Sequence, residues 1–433
     1  MGTVPLVGLI TNAFFAPKLL AVHLAQSARI ATIRFYRFPL TTGPCPRAQA
    51  RAGGHMPDTI APAVPSMRNG RPAARIGKPL RVLAWLSFLA EVIIIGTGGA
   101  VRLTGSGLGC SEWPLCTPES LVPIYGDQGI HGIIEFGNRT MTGVVGLLAI
   151  AVLLLTLHAV GGRRSLVAAL WFALGGIITG VICFGIAALL VDEPFAFFSV
   201  GLILATIAGA VHSLRITPER RDLGALAWIV LIGVVAQAFV GGITVLTGLN
   251  PFIVGFHYAS SLVLVCVTAA FLVRMKEPAG ARVSVVPRWF AILSHVTGLA
   301  LAVTIFFGVL TTGSGPHSGD ANVLRDGFDA TVLAHVHSWP GYILAVLVAA
   351  LVISAWVLRL QPRRWLLVLV VAILVQIGVG IWQAREGLPE ILVGIHMVLA
   401  ALSAAAYTVV VLKMKSPVAA AEPAEEPEHS ARA

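Results

Sequence analysis

Three histidines lie just inside the ends of apolar segments, where an ionisable side chain is costly without a partner. His257 and His396 follow Pro251 and Pro389 by six or seven residues, and His337 lies about five residues into its own segment. At about 1.5 Å per helical residue, all three would lie roughly 10 Å deep. Imidazoles on neighbouring helices at one depth can bind one haem iron from opposite faces, so the pattern predicts a haem site.

The competing interpretation is that each histidine is a hydrogen-bonded packing residue, the commoner role of a single histidine in a helix. Two observations favour ligation. His257 and His396 lie at the ends of equivalent segments of an internal repeat, and His337 lies at a matching depth. The neighbouring residues Gly255, Gly341 and Gly394 are small, and would let a flat macrocycle approach the backbone.

Charged residues near the same boundary could serve a bound macrocycle. Glu135 is interpreted either as a first-turn carboxylate favoured by the helix dipole or as a proton acceptor beside a haem. Arg102 and Arg139 could pair with haem propionates or could anchor helix ends at the membrane surface. Both interpretations stay open for each residue.

Two of the five cysteines, Cys110 and Cys116, lie in the segment GCSEWPLC. In an oxidising compartment such a pair favours a disulfide. A metal site is the weaker alternative because the chain has no second close pair. Cys183 and Cys266 fall inside apolar segments and are expected to be packing residues.

The elements that hold these residues are expected to be transmembrane helices. Hydrophobic residues make up 57% of the 433, charged residues make up 12%, and the mean hydropathy is +0.87. Apolar runs of about 20 residues, the length that crosses a bilayer, recur along the chain, which predicts an all-α polytopic membrane protein. Ten spans are predicted, at about 80–101, 139–160, 165–190, 195–214, 224–246, 252–273, 288–310, 332–358, 364–383 and 391–412.

The formal net charge of +10 could suggest a nucleic-acid partner, but the placement of the charge argues against one. Lys and Arg cluster before the first predicted span and after the second, fourth, sixth, eighth and tenth, whereas acidic residues concentrate in the alternate connections. This positive-inside pattern predicts a multi-pass protein of the cell membrane with both termini in the cytoplasm.

An internal repeat relates two parts of the chain. GLNPFIVGFH ends at His257 and GLPEILVGIH ends at His396, and VRLTGSGLG at 101–109 matches GVLTTGSGPHSG at 308–319. Each part places four predicted helices in the same order. Both run in the same direction across the membrane, which predicts a parallel repeat about a pseudo-twofold axis along the membrane normal.

The repeat divides the chain into a first half at 80–273 and a second half at 288–412, with an inserted transmembrane hairpin at 165–214 in the first. Residues 1–79 are basic and rich in Pro and Gly. They are interpreted as a disordered arm, a targeting segment or an over-long reading of the gene. Residues 413–433 are expected to form a disordered cytoplasmic tail.

The motifs VRLTGSGLGCSEWPLC, IEFGNRTMTG, GGITVLTGLNPFIVGFH, TGSGPHSGD and VGIH resemble the haem A synthase family, in its bacterial form with one cysteine pair. The resemblance covers about residues 80–412 apart from 165–214. It implies an eight-helix bundle of two four-helix halves. Its implied activity is oxidation of a ring methyl of haem O to a formyl group, which gives haem A for cytochrome oxidase assembly.

The resemblance also assigns roles to residues. His337 and His396 would be the axial ligands of a haem b cofactor in the C-terminal half. The N-terminal half would hold the substrate haem O, with His257 as one ligand to its iron and Glu135 as the essential acidic residue in catalysis. The implied loop disulfide joins Cys110 and Cys116.

One position departs from the family pattern. Many family members carry histidine where this chain has Asn138, three residues after Glu135. Asn is a poor haem ligand, so His257 alone would hold the substrate iron, unless His131 reaches it through a folded-back loop. An open sixth coordination position, suited to oxidation chemistry, is the hypothesis that follows.

Two other functions share part of this pattern. A b-type cytochrome that only transfers electrons would use the same histidines, and a transporter would also show repeats and intramembrane polar residues. Histidines near the outer face and an interior without an acidic ion site disfavour transport, whereas Glu135 and the cysteine loop favour the synthase. The expected partners are haem O delivered by a haem O synthase, membrane lipid, an unidentified electron acceptor and, in a homo-oligomer, further copies of the chain.

Overall fold

The computed structural model describes residues 76–190, 195–320, 323 and 327–418. The predicted N-terminal extension therefore lies almost wholly outside the described residues, as does the tail from residue 419. Within them the chain forms nine α-helices, a short 3-10 helix at Pro218–Arg220 and two short antiparallel strands, β1 (Arg282–Ser284) and β2 (Lys415–Pro417). The helices are α1 (Lys78–Leu103), α2 (Tyr125–Ala187), α3 (Phe195–Ile216), α4 (Arg221–Leu246), α5 (Pro251–Arg274), α6 (Arg288–Ser314), α7 (Ala330–Val357), α8 (Arg363–Arg385) and α9 (Glu390–Lys413).

The helices confirm the prediction of an all-α polytopic membrane protein. Eight of the described helices are long and apolar enough to cross a membrane, and Val200–Ile216 is a shorter apolar helix. One of the eight, Gln128–Ala187, has 60 residues, far more than the roughly 20 that one crossing needs. Its backbone is not helical at Gly162, where φ is 66° and ψ is −164°. This break lies between two of the predicted spans, and the total of ten spans stays a prediction.

The two GL segments of the repeat have the same backbone conformation. Gly248 and Leu249 follow α4 with φ of 61° and 58°, and Gly387 and Leu388 follow α8 with φ of 74° and 65°. In each case the leucine amide donates a 2.8 Å hydrogen bond to a carbonyl five residues earlier. A left-handed helix end favours glycine, because other residues pay a steric cost there. The repeat seen in the sequence is therefore also a repeat of local structure.

Separate apolar clusters hold the helices together. One joins α1, α2, α4 and α5 around Leu157, Leu223 and Phe271. A second joins α6 to α9 around Phe290, Leu351, and other residues that are almost fully buried. A third, which includes Ile95, Leu262 and Ala401, packs α1, α5 and α9 against one another. This third cluster places the histidine-bearing ends of α5 and α9 side by side.

The region predicted as an inserted hairpin consists of the second part of α2 and α3. The two helices approach closely at small residues, since a methyl group added to Gly176 would lie 2.5 Å from the Ala205 side chain. The Trp228 indole donates a 2.7 Å hydrogen bond to the Ser213 hydroxyl, which ties α3 to α4. Many other apolar side chains on these helices are exposed, as expected for surfaces that face lipid.

Candidate functional site

The imidazoles of His337 on α7 and His396 on α9 face each other. Their ring centroids are 6.2 Å apart and their planes are at 81°. Two imidazoles that bind one metal ion from opposite sides, each with a metal–nitrogen distance of about 2.0–2.1 Å, have centroids about 6 Å apart. The observed separation therefore fits one iron held between the two rings, as the sequence predicted for a haem site.

Hydrogen bonding leaves one nitrogen of His337 available for a metal. The His337 Nδ1 lies 2.9 Å from the Thr304 carbonyl oxygen, and because a carbonyl only accepts, Nδ1 carries the proton. Nε2 then keeps its lone pair, which is the arrangement that metal-binding histidines adopt. On the other side, the buried Nδ1 of His396 has no hydrogen-bond partner among the described residues, and Gln376 donates to the His396 carbonyl at 3.1 Å.

A cavity of about 140 Å³ surrounds this pair. Its described lining includes both histidines, Gln376 and Gln383, and no Asp, Glu, Lys or Arg side chain. No group of three or more His, Cys, Asp or Glu side chains that could hold a bare metal ion occurs in the described parts of the chain. A haem iron needs only two axial ligands, because the porphyrin supplies the other four.

A second cavity, of about 380 Å³, lies in the N-terminal half. His257 and Asn138 both line it, together with the charged residues Glu91, Arg102, Glu135 and Arg139. The Gln237 amide packs against His257 and, with its nitrogen toward the ring, donates to Nδ1 and, at 3.2 Å, to the His257 carbonyl. Tyr258 and Met397 line both cavities, and the Tyr258 hydroxyl donates to the Met397 carbonyl at 2.9 Å. This contact forms a wall between the two cavities.

The cysteine loop holds Glu135 in place. Cys110 and Cys116 form the predicted disulfide. The Cys110 amide donates to Glu135 Oε2 at 2.7 Å, and Arg139 Nη2 donates to Glu135 Oε1 at 2.6 Å. Arg139 also donates to the carbonyls of Leu115 and Glu112 in the same loop. Glu135 is only 5% exposed, so a disulfide-closed loop and one guanidinium fix a buried carboxylate at the cavity.

Arg102, in the last turn of α1, connects the two halves. Its guanidinium donates to the His317 carbonyl at 2.8 Å and to the Thr312 carbonyl at 2.6 Å, both in the C-terminal half. Thr312 and His317 line the smaller cavity, whereas Arg102 lines the larger one. The Gly107 amide adds a 2.9 Å hydrogen bond to the Gly319 carbonyl, which joins the two matching glycine-rich loops.

Two further histidines, His131 and His335, lie elsewhere. His131 is exposed and bonds through Nδ1 to the Ser106 hydroxyl at 2.9 Å, and it does not line the larger cavity. It therefore does not replace Asn138. His335 is also exposed, and its Nδ1 donates to the Thr331 carbonyl, so it points away from the His337–His396 pair.

Sequence reasoning missed Glu91, which lies within α1. Glu91 is 4% exposed, and its Oε1 accepts a 2.8 Å hydrogen bond from Thr268. Oε2 has no partner among the described residues. The argument from the sequence that the interior lacks an acidic ion site did not take Glu91 into account, although Glu91 lines the larger cavity. An acidic residue inside an apolar span was the signal, since such residues are rare in membrane interiors.

Comparison with known proteins adds a family match over part of the chain. Residues 81–185 match the COX15-CtaA family, described as a cytochrome oxidase assembly protein. The matched range contains α1, the cysteine loop, Glu135 and Asn138. It also extends into residues 165–185, the first helix of the predicted inserted hairpin.

Curated relatives point the same way. The chain is 42% identical over 84 residues to the Heme A synthase of Exiguobacterium sibiricum, which is 19% of this chain and 27% of that protein. It is 36% identical over 74 residues to the Heme A synthase of Shouchella clausii, 17% of this chain and 24% of that protein. It is 31% identical over 91 residues to that of Bacillus licheniformis, 21% of this chain and 29% of that protein. Each match spans about a quarter of the relative's length.

Proposed function

We propose that the chain oxidises a ring methyl of haem O to the formyl group of haem A. This is the activity of the haem A synthase family, which these matches support. The observation that carries this proposal is the facing pair His337 and His396, 6.2 Å apart, next to a larger charged cavity in the half that contains the family match. We propose that the smaller cavity marks the site of a resident haem and the larger one that of the substrate haem.

In the proposed site, the C-terminal pair holds a haem b as an electron relay. His337 and His396 would hold the haem, which would supply one-electron chemistry. The Thr304 carbonyl fixes the His337 ring and sets its tautomer. The described lining of the smaller cavity places no Asp, Glu, Lys or Arg side chain beside the relay.

The N-terminal half is proposed to bind haem O and to place its methyl group for oxidation. His257 would bind the iron through a ring nitrogen, and the Gln237 amide that packs against the ring would hold it in place. Glu135 is proposed to accept protons, because converting a methyl to a formyl group releases protons and electrons and takes an oxygen atom from water. Arg102 and Arg139 are proposed to face the propionates.

The same proposal includes the finer architecture. The two halves would be tandem four-helix bundles, α1, the first part of α2, α4 and α5 against α6 to α9, with the hairpin as an addition to the first. With ten crossings both termini would be cytoplasmic, and the histidine-bearing helix ends would face outward. Haem O would then arrive from a haem O synthase within the same membrane. The electrons released when haem O is oxidised would pass to an acceptor of unassigned identity.

The test is haem analysis of the full-length protein. Purified protein should carry haem B, and co-expression with a haem O producer should yield haem A on extraction and chromatography. Haem-bound protein that forms no haem A in that strain would favour a b-type cytochrome instead. Protein that binds no haem would contradict both functions.

A further inference from the structure

Four side chains at the two cavities each pack against a glycine on a neighbouring helix. A methyl group added to Gly308 would lie 2.9 Å from His337 Cε1, and one added to Gly380 would lie 3.1 Å from His396 Cε1. In the N-terminal half, a methyl group on Gly241 would lie 3.4 Å from His257 Cε1. The fourth glycine is Gly98 on α1, and the side chain against it is Asn138, whose Oδ1 would lie 3.7 Å from the added methyl group.

These contacts place Asn138 where the repeat has His337. Gly98 lies near the outer end of α1 as Gly308 does in α6, and Asn138 and His337 each lie on the following long helix. In α6 the carbonyl one turn before the glycine, at Thr304, accepts from the imidazole. In α1 the equivalent carbonyl is that of Ile94.

In the N-terminal half, a threonine hydroxyl makes the hydrogen bond to the equivalent carbonyl that an imidazole makes in the C-terminal half. The Ile94 carbonyl accepts from the Thr97 hydroxyl at 3.2 Å, and the same hydroxyl donates to Asn138 Oδ1 at 2.8 Å. Asn138 therefore lies at the position where the C-terminal half has the imidazole of His337. An amide is shorter than an imidazole and has no basic lone pair on nitrogen, so it does not bind haem iron.

We propose that the haem in the N-terminal cavity has a single protein ligand, His257, and that its opposite coordination position binds a small exogenous ligand next to Asn138. This inference rests on the proposed function, because it needs a haem in that cavity. The ligand class is a diatomic or similarly small molecule, such as CO, cyanide or water.

The two haems should therefore differ in a way that does not depend on turnover. A ferrous haem with both axial positions filled by imidazole excludes CO, whereas a haem with one imidazole binds it. The C-terminal haem, between His337 and His396, should be low-spin and closed to CO. The N-terminal haem should be high-spin and open.

The experiment is CO binding to full-length protein loaded with two haem equivalents and reduced. Wild type should bind about one CO for every two haems. Asn138→His should supply the missing imidazole, lower CO binding by at least about tenfold and convert the high-spin signal to low-spin. Asn138→Ala is the matched control, because it changes the same residue without adding a ligand and should keep CO binding.

Each outcome bears on a separate claim. Two bound haems with no CO binding in wild type would overturn the inference and leave the proposed function in place. Unchanged CO binding in Asn138→His with both haems present would also overturn it. Failure to bind a second haem would contradict the proposed function itself. Since the wild-type measurement decides the first case, the inference does not depend on the variant folding.

Discussion

The two cavities are built on equivalent helices but differ in size, charge and ligand set. The C-terminal cavity is about 140 Å³, has no Asp, Glu, Lys or Arg in its described lining, and contains the facing imidazoles of His337 and His396. The N-terminal cavity is about 380 Å³ and has Glu91, Arg102, Glu135 and Arg139 in its lining, together with one imidazole, that of His257, and the amides of Asn138 and Gln237. A disulfide-closed loop lies over the second cavity, and the indole of Trp113 from that loop packs on Gly242 of α4.

On the proposed function, the difference separates a resident cofactor from a substrate that must enter, react and leave. The small uncharged cavity would retain a haem between His337 and His396 for electron transfer. A larger cavity with a fixed carboxylate offers room and acid–base chemistry, and a protein that binds its ring through one ligand releases it more readily. Duplication of one four-helix pattern thus provided two sites, and substitutions at a few positions gave them different roles.

The largest expected effect comes from making the C-terminal site resemble the N-terminal one. His337→Asn removes one of the two imidazoles but keeps a polar side chain at the same position. We expect the low-spin signal of the C-terminal haem to disappear, CO to bind there, and haem A formation to fall by at least about 100-fold. Electron paramagnetic resonance and CO titration measure the change. A low-spin haem that persists in this variant would show that His337 is not a ligand.

A smaller effect is expected at the carboxylate of the N-terminal cavity. Glu135→Gln keeps the size of the side chain but removes the charge that Arg139 and the Cys110 amide stabilise. We expect haem A formation to fall by about 100-fold or less, with the C-terminal haem unchanged, as is typical for loss of an acid–base group. Glu119→Gln, an exposed position in the same loop, is the matched control and should retain full activity. Equal activity in the two variants would remove Glu135 from the proton chemistry.

The smallest effects are expected for alanine substitutions at the glycines. Their size should depend on the distance from the added methyl group to the neighbouring side chain. Gly308→Ala brings a methyl group to 2.9 Å from His337 and must displace the ring, so we expect about tenfold weaker haem binding in the C-terminal site. Gly98→Ala meets Asn138 only at 3.7 Å, an ordinary contact, and should leave haem content unchanged. Haem-to-protein ratio and thermal unfolding of both variants test the order. The reverse order would contradict the proposed equivalence of Gly98 and Gly308.

Much of the helical fold could be predicted from the sequence, because apolar runs long enough to cross a bilayer have few other structures available. The cysteine pair and the paired positions of His257 and His396 were also readable, since each lies within a short motif. Contacts between distant segments could not be predicted from the sequence. Thr97 and Gly98 define the position of Asn138 only once α1 and α2 are packed together, and no local pattern shows this.

The roles of the arginines show the same limit. The sequence left propionate binding and helix anchoring open for Arg102 and Arg139. In the structure, Arg139 already pairs with Glu135 and loop carbonyls, and Arg102 reaches two carbonyls of the other half. These partners lie 4 to 215 residues away along the chain, so their pairing depends on tertiary packing.

The central claim is that imidazoles from α7 and α9 bind one haem iron between them. Near-infrared magnetic circular dichroism of oxidised, haem-loaded, full-length protein measures it most directly, because the low-spin charge-transfer band reports the identity of both axial ligands. We predict a bis-histidine band in wild type that is lost in His337→Ala and, separately, in His396→Ala. A bis-histidine band that survives in either variant would contradict the account.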